Sequence, residues 1–346
     1  MGTSAMESTA RALAAAGKGI LAADESTGTI EKRFKNVGIA NTEENRRAYR
    51  ELLFTTSGVE QFISGVILYD ETIRQRIKDG LSMPEALSQR GIIPGIKVDK
   101  GAKDLALFPG EKITEGLDGL RERLAEYRKL GARFTKWRAV IGIGQGIPTR
   151  ASIRANAEAL ARFAALSQEA GLVPIVEPEV LMDGDHTIDR CEEVTEEMLG
   201  NVFEALALYR VRLEEMLLKP NMVIAGEKSP EKTGADRIAE ATVRCLGRRV
   251  PVAVPGIVFL SGGQSEVQAT ENLNAINRVN HRPWALSFSY GRALQASALS
   301  AWRGVAANVA AGQKAFHHRA HMNSLARFGK YRPEMEKQAA RGSSAT

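Results

Sequence analysis

An α/β protein of one domain, its strands closed into a (β/α)₈ barrel, is the fold that this chain of 346 residues predicts. Three observations carry that reading. Short apolar, β-rich runs recur along the chain, segments of helical periodicity separate them, and the spacing between runs is regular. The runs are GILAAD at 19–24, FISGVILY at 62–69, IIPGIKV at 92–98 and RFTKWRAVI at 133–141. They continue with LVPIVEPE at 172–179, MLLKPNM at 216–222, PGIVFLS at 255–261 and WALSFSY at 284–290, which makes eight.

Between the runs, the segment 149–171 carries apolar residues at i, i+3 and i+4 and ends on glycine. The segment 265–280 opens on a serine with Glu and Gln close behind, a helix N-cap signature. Strands alternating with helices imply right-handed βαβ units and a parallel sheet. Lys136 to Glu177 spans 41 residues, Glu177 to Lys219 spans 42, and Lys219 to Ser261 again 42, one polar residue from each of four successive runs. Eight such units favour a closed TIM barrel over a doubly wound sheet, which usually has fewer strands. The barrel is set at residues 1–330, and the polar, small-residue-rich segment 331–346 is expected to be a flexible tail.

Charged residues make up 25 % of the chain and hydrophobic ones 44 %, an ordinary globular balance. The net charge of +6 fits a solvated basic face or, more sharply, an anionic small-molecule substrate. No basic run interleaved with aromatics points to nucleic acid. Cys191 and Cys245 form neither a CxxC motif nor a disulfide framework, which suits a reducing cytosol. The opening MGTSAMESTA has no apolar core of a signal peptide, and Met6 stands where a myristoylation signal needs Ser or Thr. No run reaches the roughly 18 apolar residues of a membrane helix. A cytoplasmic protein that does not engage membranes is the expectation.

Barrels do their chemistry at the C-terminal ends of the strands. There this chain places Asp24, Lys97, Lys100, Lys136, Arg138, Glu177, Glu179, Lys219, Ser261, Gly262, Ser289 and Arg292. Lys136 and Arg138 are two apart and share a strand face, as do Glu177 and Glu179. A buried salt-bridge network would account for those four, but not for a lysine that ends the apolar run Met216–Leu218. A buried lysine must snorkel, pair with a carboxylate or lose its proton, and the free amine is a nucleophile. FLSGGQSE after the seventh run and SYGRALQAS after the eighth supply glycines and Arg292 where barrels often bind phosphate. Ser26, Thr29, Lys32 and Arg33, opening a helix after the first run, offer a second anion site or simply an N-cap with solvated charges.

Other motifs carry less. IGIGQGIP (141–148) lacks the GxGxxG and the later acid of a dinucleotide site. His317 and His321 are spaced i, i+4 but have no third metal ligand in view, and five histidines in all argue against a zinc enzyme.

GILAADESTGTIEKRF, PGIKVDKG, FTKWRAV, IVEPEVLMDGDH, LLKPNM, FLSGGQSE, LNAIN and PWALSFSYGRALQASALSAW, in this order from about residue 10 to about 330, resemble class I fructose-1,6-bisphosphate aldolase. The resemblance implies a (β/α)₈ barrel, usually a homotetramer of glycolysis and gluconeogenesis, that needs no metal and no cofactor. It implies reversible cleavage of fructose 1,6-bisphosphate to dihydroxyacetone phosphate and glyceraldehyde 3-phosphate. On this basis Lys219 is the Schiff-base lysine and Glu177 the principal acid/base, with Glu179 beside it. Lys136 and Arg138 hold substrate and keep the amine free, Asp24 works at the C4 hydroxyl, and Lys100 binds substrate. Ser261, Gly262, Gly291 and Arg292 resemble the C1-phosphate site, and Ser26, Thr29, Lys32 and Arg33 the C6-phosphate region.

The chain departs from the pattern at its end. Animal members finish on a tyrosine that aids proton transfer at C3, whereas the last tyrosine here is Tyr331. Either the chain is truncated or its enamine is protonated another way. Two rivals share the barrel: a transaldolase-like Schiff-base enzyme, which needs no second phosphate site, and a non-catalytic scaffold.

Overall fold

Eight parallel strands follow one another around a closed ring in the computed structural model of the protein, which describes residues 3–336. In chain order they are β1 (Gly19–Ala22), β2 (Ile63–Leu68), β3 (Ile93–Lys97), β4 (Phe134–Ile141), β5 (Val173–Val180), β6 (Leu217–Leu218), β7 (Gly256–Phe259) and β8 (Ala285–Tyr290). Each predicted run contains its strand to within a residue. The exception in length is β6, where a run of seven residues yields a strand of two. Pro220 follows directly behind, and a proline has no N–H for the ladder. Helices cover the outside, among them Arg150–Glu169, capped by Thr149, and Glu266–Val279, whose Ser265 and Gln268 form a capping box.

Alternation along the strands sorts the side chains. On β4, Thr135 and Trp137 face outward: the Thr135 hydroxyl bonds Ser167 Oγ at 2.9 Å and the Trp137 ring stacks on Phe163. Phe134 faces inward and joins Ile20, Ile67, Val173, Ile175, Leu217 and Val258 in an apolar floor. The helix Ala5–Leu13 closes that floor from below with Ala10 and Leu13. Gly95 makes room for it, since a Cβ there would lie 2.3 Å from the Phe134 ring.

Beyond β3 the chain leaves the ring as an antiparallel hairpin, Ala102–Asp104 with Lys112–Thr114. At the other end the expected tail does not begin at 331. Tyr331 is buried, its hydroxyl donates to Glu336 Oε1 at 2.9 Å, and Arg319 Nη1 reaches the same oxygen at 2.8 Å. Composition read as mobile is here tied down by Arg319 of the preceding helix, Val309–Arg327. The rest of the predicted tail, 337–346, lies outside the described residues. Among the described residues no helix is long and apolar enough to cross a membrane.

Candidate active site

One pleat above the floor, the same inward faces carry charge. Lys136 and Arg138 of β4 stand beside Glu177 and Glu179 of β5, with Arg138 in register with Glu177. Lys219 leaves β6 at its C-terminal end, its N–H still bonded to Val176 O at 2.8 Å. The residue is 3 % exposed, and Nζ lies 3.1 Å from Glu177 Oε1. Lys136 Nζ donates to Asp24 Oδ2 at 2.9 Å. It also sits 3.0 Å from Glu177 Oε2, but off the direction of a hydrogen bond, so that it acts there as a neighbouring charge. The result is a buried chain of alternating sign: Asp24, Lys136, Glu177, Lys219. Arg138 Nε pairs with Glu179 alongside.

Desolvation and partners pull these groups apart. Burial pushes the Lys219 ammonium below its ordinary range; Glu177 opposes that, and Lys136 adds to it. Burial also works against Lys136, yet Asp24 and Glu177 outweigh it and hold that ammonium well above its ordinary range. For Asp24, burial favours the acid, but Lys136 and Lys219 keep it ionised far below the usual carboxylate range. Burial likewise raises Glu177, and Lys136, Lys219 and Arg138 bring it below its ordinary value. Of the two lysines, one is locked as a cation and the other is disposed to give up its proton.

The charges lie at the bottom of a cleft of about 540 Å³, and the predicted anion-binding residues line its walls. Ser261 and Gly262 follow β7. Gly262 packs closely, since a Cβ there would stand 3.0 Å from Glu179 Oε1. Gly291 and Arg292 follow β8, and Arg292 Nη2 reaches Gln264 O at 3.5 Å, which links the two loops. On the opposite wall, Ser26 stands at the N-cap position of the helix Thr27–Lys35 with its hydroxyl 3.1 Å from that of Thr29 rather than on a backbone N–H, and the helix brings Thr29, Lys32 and Arg33 to the rim. Arg33 pairs with Glu25, and its Nη2 stands 3.4 Å from where a Cβ of Gly291 would be.

Lys100 is the one predicted site residue that the structure does not bring to this cleft. Past Val98 the chain turns into the hairpin, the Lys100 N–H bonds Glu115 O at 2.8 Å, and the side chain is exposed. Lys97, three residues earlier in the same motif, lines the cleft instead, 2.6 Å from Asp99 Oδ1. Sequence reading missed Asp99, which also accepts the Arg138 N–H at 3.3 Å. It missed Glu25 too, held by Arg50 Nη2 at 3.3 Å and Gln295 Nε2 at 2.9 Å. Their adjacency to predicted site residues, Asp99 to Lys100 and Glu25 to Asp24 and Ser26, was the available signal. His317 and His321 pack on the Phe62 ring.

Fold and strand-end chemistry together define a barrel enzyme. The chain belongs to the class I fructose-bisphosphate aldolase family: the family model for glycolytic fructose-bisphosphate aldolase class-I matches residues 5–346. It is 58 % identical over 325 residues to the probable fructose-bisphosphate aldolase class 1 of Xanthomonas campestris, covering 94 % of this chain and 97 % of that protein. With the fructose-bisphosphate aldolase of Dictyostelium discoideum it shares 56 % identity over 329 residues, 94 % of this chain and 92 % of the other. Fructose-bisphosphate aldolase of Plasmodium falciparum, solved in a ternary complex with TRAP and a small-molecule inhibitor, superposes with a TM-score of 0.93. That match is 54 % identical and covers 94 % of this chain and 95 % of that one. The barrel and the family predicted from the motifs both hold.

Proposed function

We propose that the cleft cleaves fructose 1,6-bisphosphate reversibly into dihydroxyacetone phosphate and glyceraldehyde 3-phosphate through a Schiff base on Lys219, without a metal ion. The observation that carries this reading is the buried Lys219–Glu177 pair at 3.1 Å. Moving one proton across it converts two buried charges into a free amine and a carboxylic acid, the two species that the first step needs. The amine adds to the C2 carbonyl, and the resulting carbinolamine loses water as Glu177 returns the proton to the departing hydroxyl. An iminium results, which draws off the electron pair of the C3–C4 bond. Asp24 or Glu177 takes the C4 hydroxyl proton, and the aldehyde leaves. Each positioned proton transfer of this kind contributes about 10² to 10⁴ in rate.

Lys136 stays charged throughout, which holds Asp24 and Glu177 in place and disfavours a second cation at Lys219. Glu179 fixes Arg138, which faces the substrate. The remaining enamine is protonated at C3. Tyr331 lies outside the lining of the cleft and bonds Glu336, so Glu177 is the acid assigned to that step. The loops at Ser261, Gly262, Gly291 and Arg292 take the C1 phosphate, and Ser26, Thr29, Lys32 and Arg33 the C6 phosphate. Holding both ends lets C2 meet the amine, an orientation effect worth several kcal/mol. The same reading makes the chain a cytoplasmic homotetramer of glycolysis and gluconeogenesis, with the mass in solution as its check.

Borohydride reduction in the presence of dihydroxyacetone phosphate tests the chemistry. Peptide mass should locate one covalent adduct, on Lys219. No adduct there, or activity abolished by a chelator, overturns the Schiff base. A bisphosphate cleaved no better than its monophosphates would favour the transaldolase-like rival.

A further inference from the structure

The sheet is broken where the proposed nucleophile and its acid face each other. Val176 pairs with Leu218, and the last main-chain bond between β5 and β6 runs from Lys219 N to Val176 O. A continued parallel ladder would next need the N–H of residue 178 to meet the Lys219 carbonyl. Residue 178 is proline, and so is residue 220. Pro178 therefore breaks the β5–β6 ladder beside Lys219, whereas Pro220, whose carbonyl accepts the Leu260 N–H at 3.1 Å, faces β7.

Asn221 repairs the gap with its side chain. Its Oδ1 accepts the Val180 N–H at 3.0 Å, taking the place that its own main-chain carbonyl would hold in an unbroken ladder. Its Nδ2 donates to Met222 O at 3.0 Å and to Thr195 Oγ1 at 3.1 Å, on the helix Ile188–Leu208. Only 2 % of the residue is exposed, and both ends of the amide are satisfied. Asn221 stands two residues after Lys219, and Val180 directly follows Glu179. The amide thus bridges the strand of the acids to the strand of the lysine at the point where main-chain bonding stops.

We infer that Asn221 is a positioning residue that sets the distance between Lys219 and Glu177, although it touches neither substrate nor reacting atoms. This rests on the Schiff-base reading above. In the substrate complex the phosphate sites lie on other strands, β1, β7 and β8, so the loss of Asn221 should spare substrate binding and slow the chemistry.

Asn221→Ala and Thr195→Val, the latter removing one partner on the helix, separate a positioning role from mere support. For Asn221→Ala the expected result is a kcat lower by about 10²-fold, the scale of an ångström of misplacement, with KM within about threefold. The rate of borohydride trapping at Lys219 should fall in parallel with kcat. Thr195→Val should move kcat and trapping in the same direction by a smaller factor. A lower melting temperature with kcat and trapping rate unchanged in the folded enzyme overturns the inference. So does a loss confined to KM. Where Asn221→Ala fails to fold, Thr195→Val decides: a melting-temperature loss without slower trapping overturns it. A wild-type enzyme with no adduct at Lys219 would instead sink the proposed chemistry.

Discussion

The floor and the mouth of the barrel are built from the same eight strands, one pleat apart, and they behave as different materials. At the floor, Phe134 rests against Gly95 and is ringed by Ile67, Val173, Ile175 and Leu217. At the mouth, Lys136, Glu177 and Lys219 occupy the next inward positions of β4, β5 and the end of β6. A step of two residues, Phe134 to Lys136 or Ile175 to Glu177, crosses from packing to chemistry. Such a boundary lets charge be buried without solvent beneath it, and burial is what unsettles the Lys219 ammonium.

Two substitutions should divide that boundary cleanly. Lys219→Met should lower the cleavage rate by about 10⁴-fold or more, as loss of a covalent nucleophile does elsewhere. Its melting temperature should hold, because Glu177 keeps Lys136 as counter-charge and an apolar side chain fills the space. Phe134→Ala should do the reverse. It should cost about 3–5 kcal/mol of stability in denaturant titration, the usual range for a buried phenylalanine, while the folded enzyme keeps its kcat. If Phe134→Ala slowed catalysis as strongly as it destabilised, floor and mouth would be one coupled unit.

The pH dependence sharpens the contrast inside the mouth. A lysine whose folded pKa is lowered reacts as the amine at lower pH, so trapping at Lys219 should rise and level off below the ordinary 10.5. Lys136→Met removes one of the influences that lower it and leaves Glu177 and Asp24 to favour the ammonium. The limb should therefore move to higher pH, whatever happens to its height. Stability carries a second sign. Asp24 and Glu177 have folded values depressed below their ordinary 3.8 and 4.5. Their contribution is complete above those values and is lost as pH falls through the folded ones. Without Lys136 this acid-sensitive contribution should shrink, which acid titration of the fold would read directly.

Most of this architecture was legible in the chain because strand burial writes itself as apolar runs. Alternation alone put Lys136 with Arg138, and Glu177 with Glu179, on one face of their strands. What escaped depends on partners that are remote in sequence. Glu25 is buried because Gln295, 270 residues away, donates to it, and no local pattern announces that. Residues 331–336 looked mobile by composition, yet the Tyr331 N–H donates to Asn274 Oδ1, 57 residues away, at 2.9 Å, and the Glu336 carboxylate accepts from Arg319. The length of β6 failed for another reason: LLKPNM reads as one apolar run, but Pro178 on β5 and Pro220 behind Lys219 interrupt its two ladders, and the pairing with β5 passes to the Asn221 side chain.

The smallest expected effect decides between two lysines of one motif. The motif resemblance assigned substrate binding to Lys100, whereas alternation favours Lys97, which is in register with Lys136 across β3 and β4. Lys97 lines the cleft and Lys100 is exposed on the hairpin side. A charge-assisted contact to an anionic substrate is worth about 1.5–3 kcal/mol, so Lys97→Ala should lower kcat/KM by about tenfold or more. Lys100→Ala, an exposed substitution with no partner in the cleft, should stay within about twofold. Kinetics on fructose 1,6-bisphosphate at fixed ionic strength separates the two. Equal losses would mean that the hairpin folds over the substrate and that the mouth extends beyond the strand ends; a loss at Lys100 alone would return the role to the residue that the motif first indicated.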